Sequence, residues 1–167
     1  MNDRIPELAD KRVPSWLPAL VLFLFACVFL ASVIGRKYTA VENIETGNID
    51  ANCDMHQKAC QATFENAGTV RLAISPNQPI KPLTQLNLEV DVEGVSAEAV
   101  RIDFKSLDLF MGFNRPRLEK VGVNKFTGTG LLATCTLGSM RWEANVLVTT
   151  PQGTLSAPFR FEVQNRP

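Results

Sequence analysis

The chain has 167 residues and a mass of 18.4 kDa, room for one domain of ordinary size with a smaller segment beside it. Seventeen Lys and Arg balance seventeen Asp and Glu. No basic cluster interleaves with aromatic side chains, which argues against a nucleic-acid partner.

Residues 1–14 read as a short cytoplasmic N-terminus. The stretch WLPALVLFLFACVFLASVIG, Trp16 to Gly35, carries no charge and matches the roughly 20 residues a helix needs to cross a bilayer. A transmembrane helix is therefore expected over 15–37. Pro18 falls in its first turn, where proline is tolerated, and Trp16 and Tyr38 sit where interfacial rings lie. The run is longer than the apolar region of a secretory signal and lacks an A-x-A cleavage pattern. Cys27 follows LFA in loose likeness to a lipoprotein signal, but the apolar residues continue past it, so it reads as a cysteine within the helix.

Arg4, Lys11 and Arg12 precede the helix and Arg36 and Lys37 follow it, which favours a cytoplasmic N-terminus. The expected location is the inner membrane of a Gram-negative bacterium, single-pass, with the C-terminal domain in the periplasm. The short spacing of Cys53 and Cys60 suits a disulfide, a bond that persists in such a compartment.

Residues 38–60 read as a tether followed by a cysteine loop, because YTAVENIETGNIDAN shows no sustained period. The loop CDMHQKAC holds two of the four cysteines and the sole histidine. Two readings stay open. A Cys53–Cys60 disulfide would pin the N-terminal edge of the domain, whereas reduced Cys53 and Cys60 with His56, and Met55 as a further donor, would offer thiolate and imidazole ligands for copper.

From Gln61 the period becomes two. Val70, Leu72 and Ile74 alternate with polar neighbours, as do Leu86, Leu88, Val90 and Val92. The same holds for Val100, Ile102 and Phe104, for Met140, Trp142, Ala144, Val146 and Val148, and for Phe159, Phe161 and Val163; KFTGTGLLATC adds a further extended stretch. Turn signals such as SPNQPIKP, EGVSAE, GFNRP, VGVN and TPQG separate these runs. About seven short strands and no long amphipathic helix predict an all-β domain over 61–167, an immunoglobulin-like antiparallel β-sandwich. Trp142 is its expected core plug, with Phe104, Phe126, Phe159 and Phe161 as packing residues.

No nucleophile with its base, no paired carboxylates and no phosphate-cradling glycine loop stand out, so an enzyme is not expected. Soft donors are the remaining candidates. Met111 in LDLFMGFN, Cys135 in LLATC and Met140 in LGSM fall at strand ends or loops, and thioether and thiolate ligands prefer Cu(I). Met140 also alternates with Trp142, which would turn it to the core instead. If Cys53 pairs with Cys60, Cys135 has no partner outside the cytoplasm and is either buried or functional.

The run from Leu107 to Gly153 carries Met111 and Gly112 in a loop, Gly122 with Phe126 and Gly128, and Met140 with Trp142. In this it resembles the YtkA-like and FixH-like group of membrane-anchored or secreted bacterial sandwich domains. The likeness covers roughly the C-terminal hundred residues and excludes the cysteine loop. FixH-like proteins are associated with assembly of haem-copper oxidases, so the resemblance implies a role in copper delivery or oxidase maturation. A respiratory oxidase or a copper chaperone would be the partner, besides the membrane engaged by 15–37. The alternative is a metal-free periplasmic interaction module that docks a membrane complex through a sheet edge or loops, its Cys53–Cys60 bridge structural. The two differ in whether the sulfurs of Met111, Cys135 and Met140 share one open pocket or lie in a dry core.

Overall fold

The computed structural model describes residues 16–38, 44–134 and 138–164. The chain divides into two compact units, Met1–Val41 and Glu42–Pro167. The first holds α1, Leu17–Tyr38, 22 residues long. Side chains are described over residues 18–30 of α1, all of them apolar and exposed. Within that described stretch no helix is long and apolar enough to cross a membrane; the apolar positions from Ala31 to Gly35 are read from sequence alone.

The second unit is all-β. Its strands are β1 (Ile44–Thr46), β2 (Asn48–Ile49), β3 (Cys60–Phe64), β4 (Gly68–Ser75), β5 (Gln85–Glu93), β6 (Ala99–Ser106), β7 (Arg117–Gly122), β8 (Lys125–Leu131), β9 (Ser139–Thr150) and β10 (Gly153–Gln164). They pair in the order β1-β10-β9-β6-β7-β8-β5-β4-β3-β2. Every pairing is antiparallel except β1 with β10, which is parallel.

Two short segments link the halves of this ladder. Arg117 and Leu118 of β7 pair with β6, whereas Glu119 to Gly122 pair with β8. At the far ends, β1 lies on β10 and β2 on β3 with Gly47 alone between them. The Gly47 N–H donates to the Ser156 carbonyl at 2.9 Å, and a Cβ there would stand 2.7 Å from Phe64 Cζ, so a side chain at the crossing would have to displace the buried Phe64 ring.

The alternating side chains of both halves meet in one hydrophobic cluster. Leu72, Leu88 and Phe126 come from β4, β5 and β8, and Phe104, Trp142 and Phe159 from β6, β9 and β10; all six are buried. The expected core residues are thus in place. Among the described residues the Trp142 indole N–H has no acceptor.

The structure departs from the sequence reading at its short and doubly covered strands. Residues 44–49, expected within a tether, form β1 and β2, which are three and two residues long and too short to display a period. β7 was not expected as a strand, and its last two residues fall in the VGVN turn signal; only Leu118 of it is buried, so its pattern is that of an edge. β10 starts six residues before the Phe159 alternation, because Thr154, Leu155, Ser156 and Ala157 are all buried and the period vanishes there.

Candidate interaction surface

The register separates two ends of the β unit. Ile44 aligns with Thr154 beside the β9–β10 turn, so the chain enters at that end. Ser106 aligns with Trp142 and Ser139 with Gln164, which places the loop after β6 at the other. At about 3.3 Å per residue, twelve-residue β9 sets the two ends about 40 Å apart.

The loop from Leu107 to Arg115 is apolar and bare. Phe110 is 76% exposed and Phe113 78%, with Leu107 and Leu109 exposed beside them. The two rings meet edge to face at 5.8 Å, and the Arg115 guanidinium lies 4.5 Å over Phe113 while pairing with Asp103 at 3.1 Å. Gly112 makes the turn at φ +82°, a left-handed conformation that side chains disfavour.

Both ends of this loop are tied to the sheet. Asp108 accepts from Arg141 three times, from Nη2 at 2.6 Å, the backbone N–H at 2.7 Å and Nε at 2.9 Å. The Arg141 guanidinium first, and its backbone N–H second, hold the Asp108 carboxyl below its ordinary value. Ser106 Oγ accepts from the N–H groups of Asp108 and Leu109, each at 3.2 Å. On the other side Asn114 bridges the two halves: its carbonyl accepts from Phe104 N–H at 2.9 Å, and its amide donates to the Leu131 carbonyl at 2.7 Å.

That bridge extends the apolar surface. Leu131 is exposed, and the next residue, Leu132, accepts from the N–H of Leu83, also exposed. Leu107, Leu109, Phe110, Phe113, Leu131 and Leu83 therefore gather at one pole from three segments of the chain. Exposed apolar side chains concentrated at one end of a domain mark candidate interaction sites.

The cysteine loop lies at the same end. Cys53 and Cys60 form a disulfide with Cα atoms 5.8 Å apart. Inside the loop, Asp54 accepts from the His56 N–H at 2.8 Å and from Gln57 Nε2 at 2.7 Å, and these two donors, in that order of effect, lower its pKa. Met55 is buried in the core at 2% exposure. His56 Nδ1 accepts from Ile80 N–H at 3.1 Å, so Nε2 carries the proton and donates to the Glu162 carbonyl at 2.7 Å. The imidazole thus bridges the β4–β5 loop and β10, with the Phe161 ring edge-on at 6.3 Å.

The expected metal donors fall as follows. Cys53 and Cys60 are bonded to each other, and both ring nitrogens of His56 are engaged, so a site on these three needs prior reduction and a freed imidazole. Met140 is 1% exposed in the core, and Met111 is half-buried on the apolar loop. Cys135 lies outside the described residues. Among the described residues no three His, Cys, Asp or Glu side chains gather as a metal-binding group.

Sequence reasoning missed the pole itself. Its only local signal is LDLFMGF, five large apolar residues in a glycine-containing loop; nothing local joins Leu83 and Leu131 to it. No known protein-family model matches the chain, and no curated protein is significantly similar to it.

Proposed function

We propose that the protein is a single-pass, membrane-anchored interaction module whose β unit docks a protein partner through the Leu107–Phe113 pole. The observation that carries this reading is the pole: bare Phe110 and Phe113 on a loop held at both ends by Asp108–Arg141 and Asn114. Pre-ordered aromatic anchors of this type supply most of the free energy of protein interfaces.

Other parts of the proposal have their own support. The 22-residue helix Leu17–Tyr38, uncharged through Gly35, is about 33 Å long at 1.5 Å per residue, a membrane thickness, and its described side chains are apolar all round. Two halves sharing one core, with β7 and the β1–β2 segment passing between them, fit an immunoglobulin-like sandwich. The disulfide and the basic N-terminal flank favour a periplasmic domain.

The deciding experiment places a photo-crosslinking phenylalanine at position 110 or, as control, at exposed position 123 of the full chain in its native membrane. A discrete adduct from 110 alone, lost from the co-purifying complex in Phe110→Ser/Phe113→Ser, is expected. Retention of the partner by that double variant sinks the docking reading. Copper handling and oxidase assembly, with Met111, Cys135 and Met140 or reduced Cys53, His56 and Cys60 as ligands, remain the competing proposal. Competitive Cu(I) titration of the full chain in detergent, oxidised and reduced, is its test, and stoichiometric binding in either state would move the function there.

A further inference from the structure

We propose that the Cys53–Cys60 disulfide is a reducible clamp on one side of the apolar pole, opened by thiol exchange with a protein dithiol that enters at Cys53. Its purpose rests on the docking reading; its chemistry rests on the geometry of the loop.

The two cysteines differ in exposure. Cys60, the first residue of β3, is 1% exposed, whereas Cys53 is half-buried and lines a surface cleft with His56, Pro79, Arg160 and Glu162. An incoming thiolate therefore meets Cys53. It forms a mixed disulfide there as the S–S bond breaks, and Cys60 leaves as a thiolate that takes a proton from water. The second thiol of the reductant, as its thiolate, then attacks the mixed disulfide and expels Cys53, which is protonated in turn. Two electrons pass from the dithiol to the cysteine pair, and the reductant departs as a disulfide.

What the bond holds is a chain of contacts. The closed loop keeps Met55 in the core and the His56 ring between Ile80 N–H and the Glu162 carbonyl. Ile80 is itself buried, and three residues on, Leu83 N–H reaches the Leu132 carbonyl at 2.9 Å. Opening the bond returns conformational freedom to the loop, and the ordering of the Leu83 side of the pole weakens with it. The Phe110 side hangs instead on the hydrogen bonds that Asp108 and Leu109 make with Arg141 and Ser106. Reduction should therefore loosen one half of the pole and leave the other in place.

The test uses the full chain in detergent micelles. A brief glutathione pulse quenched with acid traps the first mixed disulfide and identifies the entry sulfur by peptide mass, and dithiothreitol carries the reduction to completion in a separate sample before hydrogen exchange is followed. The expected results are a first adduct on Cys53 and about tenfold faster exchange at Ile80 and Leu83, with Leu109 and the β9 amides unchanged. A first adduct on Cys60 overturns the entry point. Unchanged exchange at Ile80 and Leu83, or reduction only in step with loss of β9 protection, overturns the clamp. Cys53→Ala/Cys60→Ala should reproduce the loosening without reductant; should it not fold, the dithiothreitol arm decides alone. Partner retention by Phe110→Ser/Phe113→Ser would remove the docking reading while leaving these exchange results standing.

Discussion

At the residue scale, the charged and polar side chains that matter are those holding other elements in place. Glu143, 4% exposed on the outer face of β9, receives Lys105 at 2.8 Å and Arg160 at 2.9 Å. Burial, the largest single influence, pushes its carboxyl up, but the hydrogen bonds and charges of Lys105 and Arg160 together hold it below the ordinary value. A depressed folded-state pKa means stability that is present above the unfolded value of about 4.3 and lost as pH falls through the folded one. The expected outcome is a loss of stability on acidification below about pH 4.3 that is shallower in Glu143→Gln, measured by urea unfolding across pH. At neutral pH the same variant should cost about 1–2 kcal/mol, since Lys105 and Arg160 are half exposed and regain water. His56→Ala should cost a similar amount, about 1–2 kcal/mol, because it strands the Ile80 N–H and the Glu162 carbonyl; denaturant midpoints compare it with wild type.

At the element scale, the strands divide into long ones defined by their buried face and short ones defined by their neighbours. β10 shows how an edge is managed. Ser156 and Glu162 send their carbonyls away from β9, to Gly47 N–H and to His56. The same alternation turns position 158 outward, where Pro158 has no N–H to offer another strand. The β1 segment and the cysteine loop cover the edge on either side of it. Cross-linking eight residues of that loop constrains the unfolded chain, so Cys53→Ala/Cys60→Ala should lower stability by about 2.5 kcal/mol. Calorimetry of the variant beside wild type under non-reducing conditions checks this, and equal melting would mean that the bridge contributes nothing to the folded domain.

At the scale of the whole molecule, the β unit carries its stabilising contacts in the core and at the cysteine loop, and a group of exposed apolar side chains at one pole. Because Phe110 and Phe113 are exposed, Phe110→Ser/Phe113→Ser should change unfolding free energy by no more than about 0.5 kcal/mol. A thermal melt of the variant indistinguishable from wild type, with the partner lost, would separate binding from folding; a large loss of stability would show that the loop is a structural element. The uncharged length of Trp16–Gly35 and the alternation at Val70–Ile74, Leu86–Val92, Val100–Phe104 and Met140–Val148 were determined by the sequence alone, because an unbroken apolar run and the alternation of a single buried sheet face are both local signals. β1, β2 and β7 were not, since a strand of two or three residues or one at an edge is held by its partners and not by a pattern of its own. The cysteine loop was open between bridge and metal site until folding brought Cys53 against Cys60 and aimed His56 at Ile80 and Glu162, residues 24 and 106 positions away. The pole, likewise, exists only because hydrogen bonds between distant segments set Leu83 and Leu131 beside Phe113, and such contacts are decided by register across the sheet, which no stretch of sequence carries by itself.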